Sequence, residues 1–351
     1  KTKPTQQGVA KLREIGIMPD ILICRTEVDL DDEHIAKLSL FCNVNESCVI
    51  VEKDVKLSIY EIPIILSNSG IDQIILERFK IDKPKSCLDD WQNLIKVIGS
   101  LDEEIKIGVV GKYSELQDAY KSIDEALMHG GYACGKKVVI EKIAAEDIEN
   151  NPSVLSNVQG ILIPGGFGSR GMEGKIKAVQ FSRENKIPFL GICLGLQCAV
   201  IEFSRNVCGL NGADSTEFND ERGENPKYPV ICLMEEQTKI SDMGGTMRLG
   251  AYECILNQNT LAYNAYGSDK ISERHRHRYE VNNEYRDMFE ENGMKISGYN
   301  PEIGVVEMIE LEDHPWFVGT QAHPELKSQP IKPHPLFKSF IKAALNYRKE
   351  I

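Results

Sequence analysis

Pro188-Phe189-Leu190-Gly191-Ile192-Cys193-Leu194-Gly195-Leu196-Gln197 joins an apolar run of strand length to a helix-capable run that continues to about Ser204. Cys193 falls on the turn between them. Gly191 and Gly195 let the backbone turn sharply without a Cβ clash, so the sulfur is expected to project from the sheet edge at a helix N-terminus. Both features favour the thiolate, which is the nucleophilic form of cysteine. The same pattern also fits a strand end with a buried, inert cysteine, so the choice rests on the rest of the chain.

Two neighbouring motifs bear on it. Pro164-Gly165-Gly166-Phe167-Gly168 follows an apolar run at 160–163; it lacks the Gly-Lys-Ser/Thr of a phosphate loop, and alone it reads as a plain glycine turn. Beside an elbow cysteine it offers a backbone N–H to an oxyanion, matching the N–H of Leu194. Thr320-Gln321-Ala322-His323-Pro324-Glu325 follows a run ending near Val318. In an extended segment His323 and Glu325 point to one side and can hydrogen-bond, which gives a cysteine the oriented base it requires. His314-Pro315 and His334-Pro335 lack that acid and read as surface turns. In Arg274-His275-Arg276-His277-Arg278, alternation puts three arginines on one strand face and two histidines on the other. A solvated basic strand, a metal site from His275 and His277, and an arginine clamp on a substrate carboxylate all remain open there.

The order of elements predicts an α/β fold. Strand-like runs at 105–111, 137–143 and 160–163 alternate with helix-like runs at 119–129, 146–156 and 173–185 before the elbow. This pattern gives a mostly parallel sheet with sites at the carboxyl ends of its strands. Residues 228–317 are richer in short strands and predict an antiparallel extension. Upstream, a helix at 9–15, strands at 19–24 and 48–52, a helix at 31–41 and a helical stretch at 58–79 broken at Pro63 and Ser69-Gly70 read as the closing part of another α/β domain, 1–80. Between them, 81–104 reads as a helical linker, capped by Ser86, whose face of Leu88, Trp91, Leu94, Ile95 and Ile98 packs on something.

At 351 residues, 42% hydrophobic and 27% charged, the chain has the length for two domains. A net charge of -12 argues against a general nucleic-acid binder. Ten cysteines lie scattered without metal-ligand spacing, which predicts reduced, mostly core thiols of a cytoplasmic protein. Lys1-Thr2-Lys3-Pro4-Thr5-Gln6 has no apolar signal region and no run has the length of a membrane span, so neither secretion nor membrane insertion is expected. A start without Met reads as a fragment.

The glycine loop, the elbow and His323-Pro324-Glu325, in this order, resemble the class I glutamine amidotransferases over 105–348. Lys1 to Gln6, Lys53-Asp54-Val55, Gly245-Thr246-Met247-Arg248-Leu249-Gly250, Arg274 to Asn282 and His314-Pro315-Trp316-Phe317 resemble the CTP synthase family along the whole length. The resemblance implies the end of a P-loop-type amidoligase domain at 1–80, a linker at 81–104 and an amidotransferase domain at 105–351. It implies ammonia release from glutamine and ATP-dependent amination of UTP to CTP in pyrimidine biosynthesis. Carried over by position, Cys193 is the nucleophile, His323 the base and Glu325 its orienter. Gly166 and Leu194 form the oxyanion site, and Gly166, Leu194, Gly195, Leu196, Gln197, Glu217 and Arg278 bind glutamine. Lys1, Thr2, Lys3, Pro4, Thr5, Gln6, Lys37, Lys53, Asp54 and Val55 match nucleotide-contacting positions. Phe167 and Arg170 are candidates for a GTP activator site. The family forms homotetramers and uses Mg2+ with ATP; no cofactor or metal is expected on this chain itself. The P-loop and the Mg2+ carboxylates lie ahead of Lys1 in the family, the stretch at 235–242 looks shorter than in some relatives, and Leu326 stands where Phe is usual. A stand-alone γ-glutamyl hydrolase and a catalytically idle assembly module are the alternatives.

Overall fold

A computed structural model describes residues 2–82, 87–112, 119–218, 223, 225–233 and 247–350, with the backbone alone at 348–350. Lys1, Ser86, Gly245, Thr246 and the stretch at 235–242 lie outside the described residues. The chain forms two compact units, Lys1–Ser100 and Leu101–Ile351.

In the first unit, α1 (Lys3–Glu14) begins six residues before the expected start at 9, because Pro4 occupies its first turn, where a missing N–H breaks no hydrogen bond. β1 (Leu22–Thr26) and β2 (Val49–Lys53) pair in parallel with Cys24 opposite Val51. Between them α2 (Asp32–Cys42) is capped by Asp31, whose side chain accepts from His34 N–H. Val9, Leu22, Leu38, Cys42, Val44 and Val49 form the core of this βαβ arrangement. Pro63 does not break a helix: it lies in the first turn of α3 (Ile62–Asn68), again the tolerated position. The expected break at Ser69-Gly70 separates α3 from α4 (Ile71–Phe79), with Gly70 at φ 78°. α5 (Asp89–Gly99) buries Leu94, and its Trp91 ring lies 5.9 Å from that of Tyr60. The apolar face of the connector therefore packs inside the first unit.

In the second unit, β3 (Glu104–Gly111), α6 (Lys121–Ala133), β4 (Lys137–Ala144), α7 (Ala145–Asn150), β5 (Gly160–Ile163), α8 (Met172–Glu184), β6 (Phe189–Ile192) and α9 (Leu194–Asn206) alternate. β7 (Ala213–Ser215), β8 (Tyr228–Cys232), β9 (Arg248–Leu256), α10 (Leu261–Tyr266), β10 (Lys270–His277), β11 (Glu280–Val281), α11 (Arg286–Glu291), β12 (Met294–Tyr299), β13 (Val306–Leu311), β14 (Phe317–Thr320) and α12 (Pro335–Glu350) follow. The helix expected over 146–156 is split: Pro152 ends α7 and opens a 3-10 turn, Pro152–Asn157.

The main sheet has nine strands in the order β10-β9-β12-β13-β14-β6-β5-β3-β4. β14, β6, β5, β3 and β4 run parallel, and β10, β9, β12 and β13 extend the sheet antiparallel. β5, β6 and β14 are buried at every position, as strands covered on both faces must be. Phe189 and Phe317, side by side on β6 and β14, stack at 4.4 Å. A separate sheet, β11-β8-β7, lies outside this one. Among the described residues no helix is long and apolar enough to cross a membrane.

Two expectations about polar groups fail. His314 and His334 are buried, not surface turns: His314 bonds the Ser182 carbonyl at 3.2 Å and His334 the Glu273 carboxylate at 3.0 Å, so each ring replaces water with an internal partner. All ten cysteines are free, but only Cys42, Cys193, Cys198 and Cys254 are buried, since most of the others sit near element ends that remain partly open.

Candidate active site

The register of three adjacent parallel strands assembles the site. Gly191 of β6 lies opposite Ile163 of β5 on one side and Gly319 of β14 on the other. The loops leaving these strands therefore start at one level: Pro164-Gly165-Gly166 from β5, Cys193 from β6, and Gln321 to Glu325 from β14. This is the carboxyl edge of the parallel sheet, where open α/β folds place their sites. Cys193 N–H donates to the Thr320 carbonyl at 2.7 Å, tying the elbow to the third loop.

Cys193 is the N-cap of the 13-residue α9 and adopts φ 51°, ψ -101°. A non-glycine residue there costs on the order of 1–3 kcal/mol, a strain that persists only when its surroundings fix it. The flanking glycines show how. A Cβ on Gly191 would lie 2.7 Å from the carbonyl of Gly195, and one on Gly195 would collide with the Ile163 carbonyl. Both positions need a bare backbone because strand and helix touch there. The sulfur accepts from Gln321 Nε2 at 3.6 Å, and the side chain is 2% exposed.

His323 and Glu325 come together as expected, with Nδ1 and Oε1 at 2.7 Å, but for a different reason. The segment is not extended: Pro324–Lys327 forms a 3-10 turn, and His323 is its N-cap. The turn brings the carboxylate back onto the ring. Burial opposes a charge on His323, but its interactions with Cys193 and Glu325 prevail and its pKa is raised to about 10. The ring is thus an imidazolium at neutral pH. Its Nε2 is buried without a hydrogen-bond partner, as is Glu325 Oε2. Gly165 lies between nucleophile and base, since a Cβ there would sit 2.6 Å from His323 Cε1 and 3.5 Å from Cys193 Cβ. A cavity of about 210 Å³ borders His323 and Glu325, lined also by Pro164, Gly165, Tyr120 and Ile123 among others.

The remaining candidates are distributed around this centre. Leu194 follows the nucleophile at the start of α9, and a Cβ on Gly166 would lie 3.3 Å from its Cδ2, so the two oxyanion candidates are neighbours. Glu217 Oε1 accepts from Gly168 N–H at 3.0 Å, anchoring the glycine loop. Gln197 Nε2 donates to the Tyr279 carbonyl at 3.1 Å and lies 3.4 Å from Gln321 Oε1. Arg278 is not on the strand face with Arg274 and Arg276: β10 ends at His277, which leaves Arg278 half-buried with its Nε unpartnered. Gly195 and Leu196 are buried in α9. His275 and His277 hydrogen-bond each other at 3.0 Å, and no group of three metal-ligating side chains occurs among the described residues. Phe167 is exposed and its carbonyl accepts from Lys112 Nζ at 2.7 Å, while Arg170 pairs with Glu146 at 2.8 Å.

The nucleotide candidates lie on several elements of the first unit. Thr2 to Gln6 form the start of α1, with Gln6 Nε2 bonding Thr2 Oγ1 at 3.0 Å. Lys53 ends β2 and pairs with Asp29 at 2.6 Å, Asp54 pairs with Arg25 at 2.7 Å, Val55 follows, and Lys37 lies within α2. Sequence reasoning assigned no role to Gly165 or Gln321, although each sits inside a quoted motif. Their signal is adjacency: each neighbours a candidate residue on a loop that leaves the same sheet edge.

Comparison with known proteins agrees with this geometry. The family model described as glutamine amidotransferase class-I matches residues 115–343, and that described as CTP synthase N-terminus matches residues 1–81. The chain is similar to proteins named CTP synthase from Ruminiclostridium cellulolyticum (53% identical over 350 residues, 99% of this chain and 64% of the relative) and Clostridium acetobutylicum (50% over 352 residues, 100% and 65%). It spans 62–65% of the length of these and a third curated relative. A solved structure of the Trypanosoma brucei CTPS glutaminase domain with bound acivicin is 35% identical with a TM-score of 0.64, covering 69% of this chain and 94% of that one. A strained cysteine elbow, an acid-oriented histidine and a glycine loop at one sheet edge, together with these matches, place the chain in the class I glutamine amidotransferase family, in its CTP-synthase-type branch.

Proposed function

We propose that the second unit hydrolyses glutamine through a Cys193 thioester, and that in the full-length protein the ammonia is used to aminate UTP to CTP at the expense of ATP. The observation that carries the first part is the seating of His323, locked to Glu325, across Gly165 from the strained Cys193. Sγ attacks the side-chain carbonyl carbon of glutamine, forming a C–S bond and moving an electron pair to oxygen. The N–H groups of Leu194 and Gly166 are assigned to that oxyanion. Protonated His323 gives its proton to the departing nitrogen, the C–N bond breaks, and ammonia leaves. Neutral His323 then takes a proton from water, which attacks the thioester and releases glutamate and the thiolate. Glu325 fixes the ring through Nδ1 in both steps. The unpartnered Arg278 Nε suits the substrate α-carboxylate, and Glu217 suits its α-ammonium.

The match over residues 1–81 supports the synthetase half of this reading. Thr2 to Gln6, Lys37 and Lys53 to Val55 are assigned to nucleotide, Phe167 and Arg170 to GTP, with residues 1–80, 81–104 and 105–351 as domain, linker and domain in a cytoplasmic homotetramer. Mg2+ would enter with ATP. The described residues offer no cluster to hold it.

Acivicin, found on the Trypanosoma relative, is the probe. It should label Cys193 alone, with glutamine protecting. Labelling at another cysteine, or labelling that glutamine does not slow, would remove Cys193 from the role.

A further inference from the structure

Behind the site lies a buried charge cluster that the mechanism above does not use. Arg248 opens β9, His275 and His277 lie on β10, Glu280 opens β11 and Glu307 is on β13; none is more than 6% exposed. Arg248 Nη1 donates to Glu280 Oε1 at 3.0 Å and Nη2 to Glu307 Oε1 at 2.7 Å. With one arginine and two carboxylates, the cluster carries a net negative charge unless it also holds a proton. Such a charge is costly in an interior.

The hydrogen-bond partners locate that proton. His277 Nδ1 faces two acceptors, the Tyr279 carbonyl at 3.2 Å and Glu280 Oε1 at 3.5 Å, so it carries a hydrogen. In the neutral ring, which burial strongly favours, Nε2 is then an acceptor, and His275 Nδ1, 3.0 Å away, is the donor to it. His275 Nε2 is left as a lone pair, and it faces Glu307 Oε2 at 3.5 Å, a second acceptor. Glu307 Oε2 has no other hydrogen-bond partner, and two acceptors buried this close repel unless one of them carries a proton. Glu280 Oε2 is unpartnered too but faces no lone pair, and its Oε1 faces two donors, from Arg248 and His277, so the partners select Glu307. Burial raises both carboxyls against the opposing pull of Arg248, Glu280 to about 8 and Glu307 to about 7, while burial lowers His275 to about 3. The other titratable groups turned toward the cluster, Tyr252 and Cys254 on β9 and the imidazolium of His323, leave this count unchanged; burial holds Cys254 as a thiol.

We propose that Glu307 is a protonated acid below neutral pH, its proton on Oε2 facing His275 Nε2, and that it is thereby a positioning residue for the glutamine site. The proton completes a relay from Glu307 through His275 and His277 to the Tyr279 carbonyl. That carbonyl also receives Gln197, and the Glu307 carbonyl receives Gln321 N–H at 2.8 Å, while the Gln321 side chain reaches Cys193. The segment held by the relay, between His277 and Glu280, carries Arg278. Loss of the proton sets two lone pairs against each other and leaves the cluster negative, which loosens Arg278. The group's folded pKa is raised, so the ordered state is complete below the carboxylate range and is lost as pH rises through about 7.

This inference rests on the glutamine reading, and the tests separate the two. Calorimetry in the Cys193→Ala background follows glutamine binding without turnover from about pH 6.5 to about 8.5. Affinity should fall, approaching on the order of tenfold per pH unit above the titration. Adding Glu307→Gln, which keeps a permanent N–H for His275, should reduce that change to less than about twofold, whereas adding Glu280→Gln should leave it. A slope that survives Glu307→Gln, or that disappears with Glu280→Gln instead, overturns the assignment. No glutamine binding at any pH refutes the glutamine reading and the positioning role with it. Should Glu307→Gln fold poorly, infrared difference spectra of the Glu280→Gln variant decide: a protonated carboxyl band at about pH 6 that vanishes by about pH 9 is expected there, and its absence overturns the proposal.

Discussion

Gly165→Ala tests the placement of base against nucleophile with a single methyl group. Its Cβ would lie 2.6 Å from His323 Cε1, where carbon atoms in contact normally stand about 3.5–4.0 Å apart. The overlap is therefore about 1 Å, and the ring is the group that yields, because the distance to Cys193 Cβ, 3.5 Å, is an ordinary contact. The 2.7 Å bond to Glu325 limits where the ring can go. A misplacement of about 1 Å at a reacting group costs on the order of 100-fold, so kcat for glutamine hydrolysis should fall by about that factor. Overpacking should cost only about 1–3 kcal/mol of stability, so the protein remains folded. Gly166→Ala is the control: its Cβ meets only Leu194 Cδ2, at 3.3 Å, and its N–H is retained, so kcat should change by less than about fivefold. Ammonia release is the assay, with melting temperatures measured on the same samples. Gly165→Ala turning over within about twofold of the unsubstituted protein would show that His323 is not seated against Cys193 as described.

Cys193→Ala should abolish glutamine hydrolysis while leaving the fold intact, and in the full-length protein synthesis from added ammonia should survive; loss of both activities would make Cys193 structural. Arg278→Ala should raise KM for glutamine with little change in kcat, since a charge-assisted contact to a carboxylate is worth about 2 kcal/mol; a fall in kcat at constant KM would remove it from binding. The raised pKa of His323 adds stability that is fully present below about pH 6.5 and lost as pH rises through about 10. The melting-temperature advantage of the unsubstituted protein over His323→Gln should accordingly shrink between those limits, and an advantage that grew with pH would contradict the ion pair. Gly195→Ala should destabilise by about 3 kcal/mol or more, because its Cβ would collide with the Ile163 carbonyl, backbone that cannot rotate away; an unchanged melting temperature would disprove that strand and helix touch there.

The carboxyl edge of the sheet was legible because its requirements fall on residue types. Only glycines permit the contacts at 191 and 195, and a histidine with an acid two residues on is specific wherever it follows a strand. The alternation of strand and helix up to α9 was equally readable, within a few residues at most boundaries. What escaped depends on contacts between segments distant in sequence. His323 meets Glu325 through a 3-10 turn that no period announces, and His314 and His334 are buried by Ser182 and Glu273, far away in the chain. Pro63 interrupts nothing because it falls in a first turn, where the residue is harmless, and only the helix start, unreadable from periodicity, shows that. The cluster around Arg248 was unreadable for the same reason: its five side chains come from four strands, and alternation along β10 alone shows only that two histidines face inward.

Rapid acid quenching of the chain during turnover of isotopically labelled glutamine, followed by mass mapping, tests the central claim most directly. A glutamyl group attached to Cys193, labile to hydroxylamine as a thioester is and missing from Cys193→Ala, is the result predicted. Steady release of ammonia with Cys193 never modified, or undiminished release by Cys193→Ala, would contradict it.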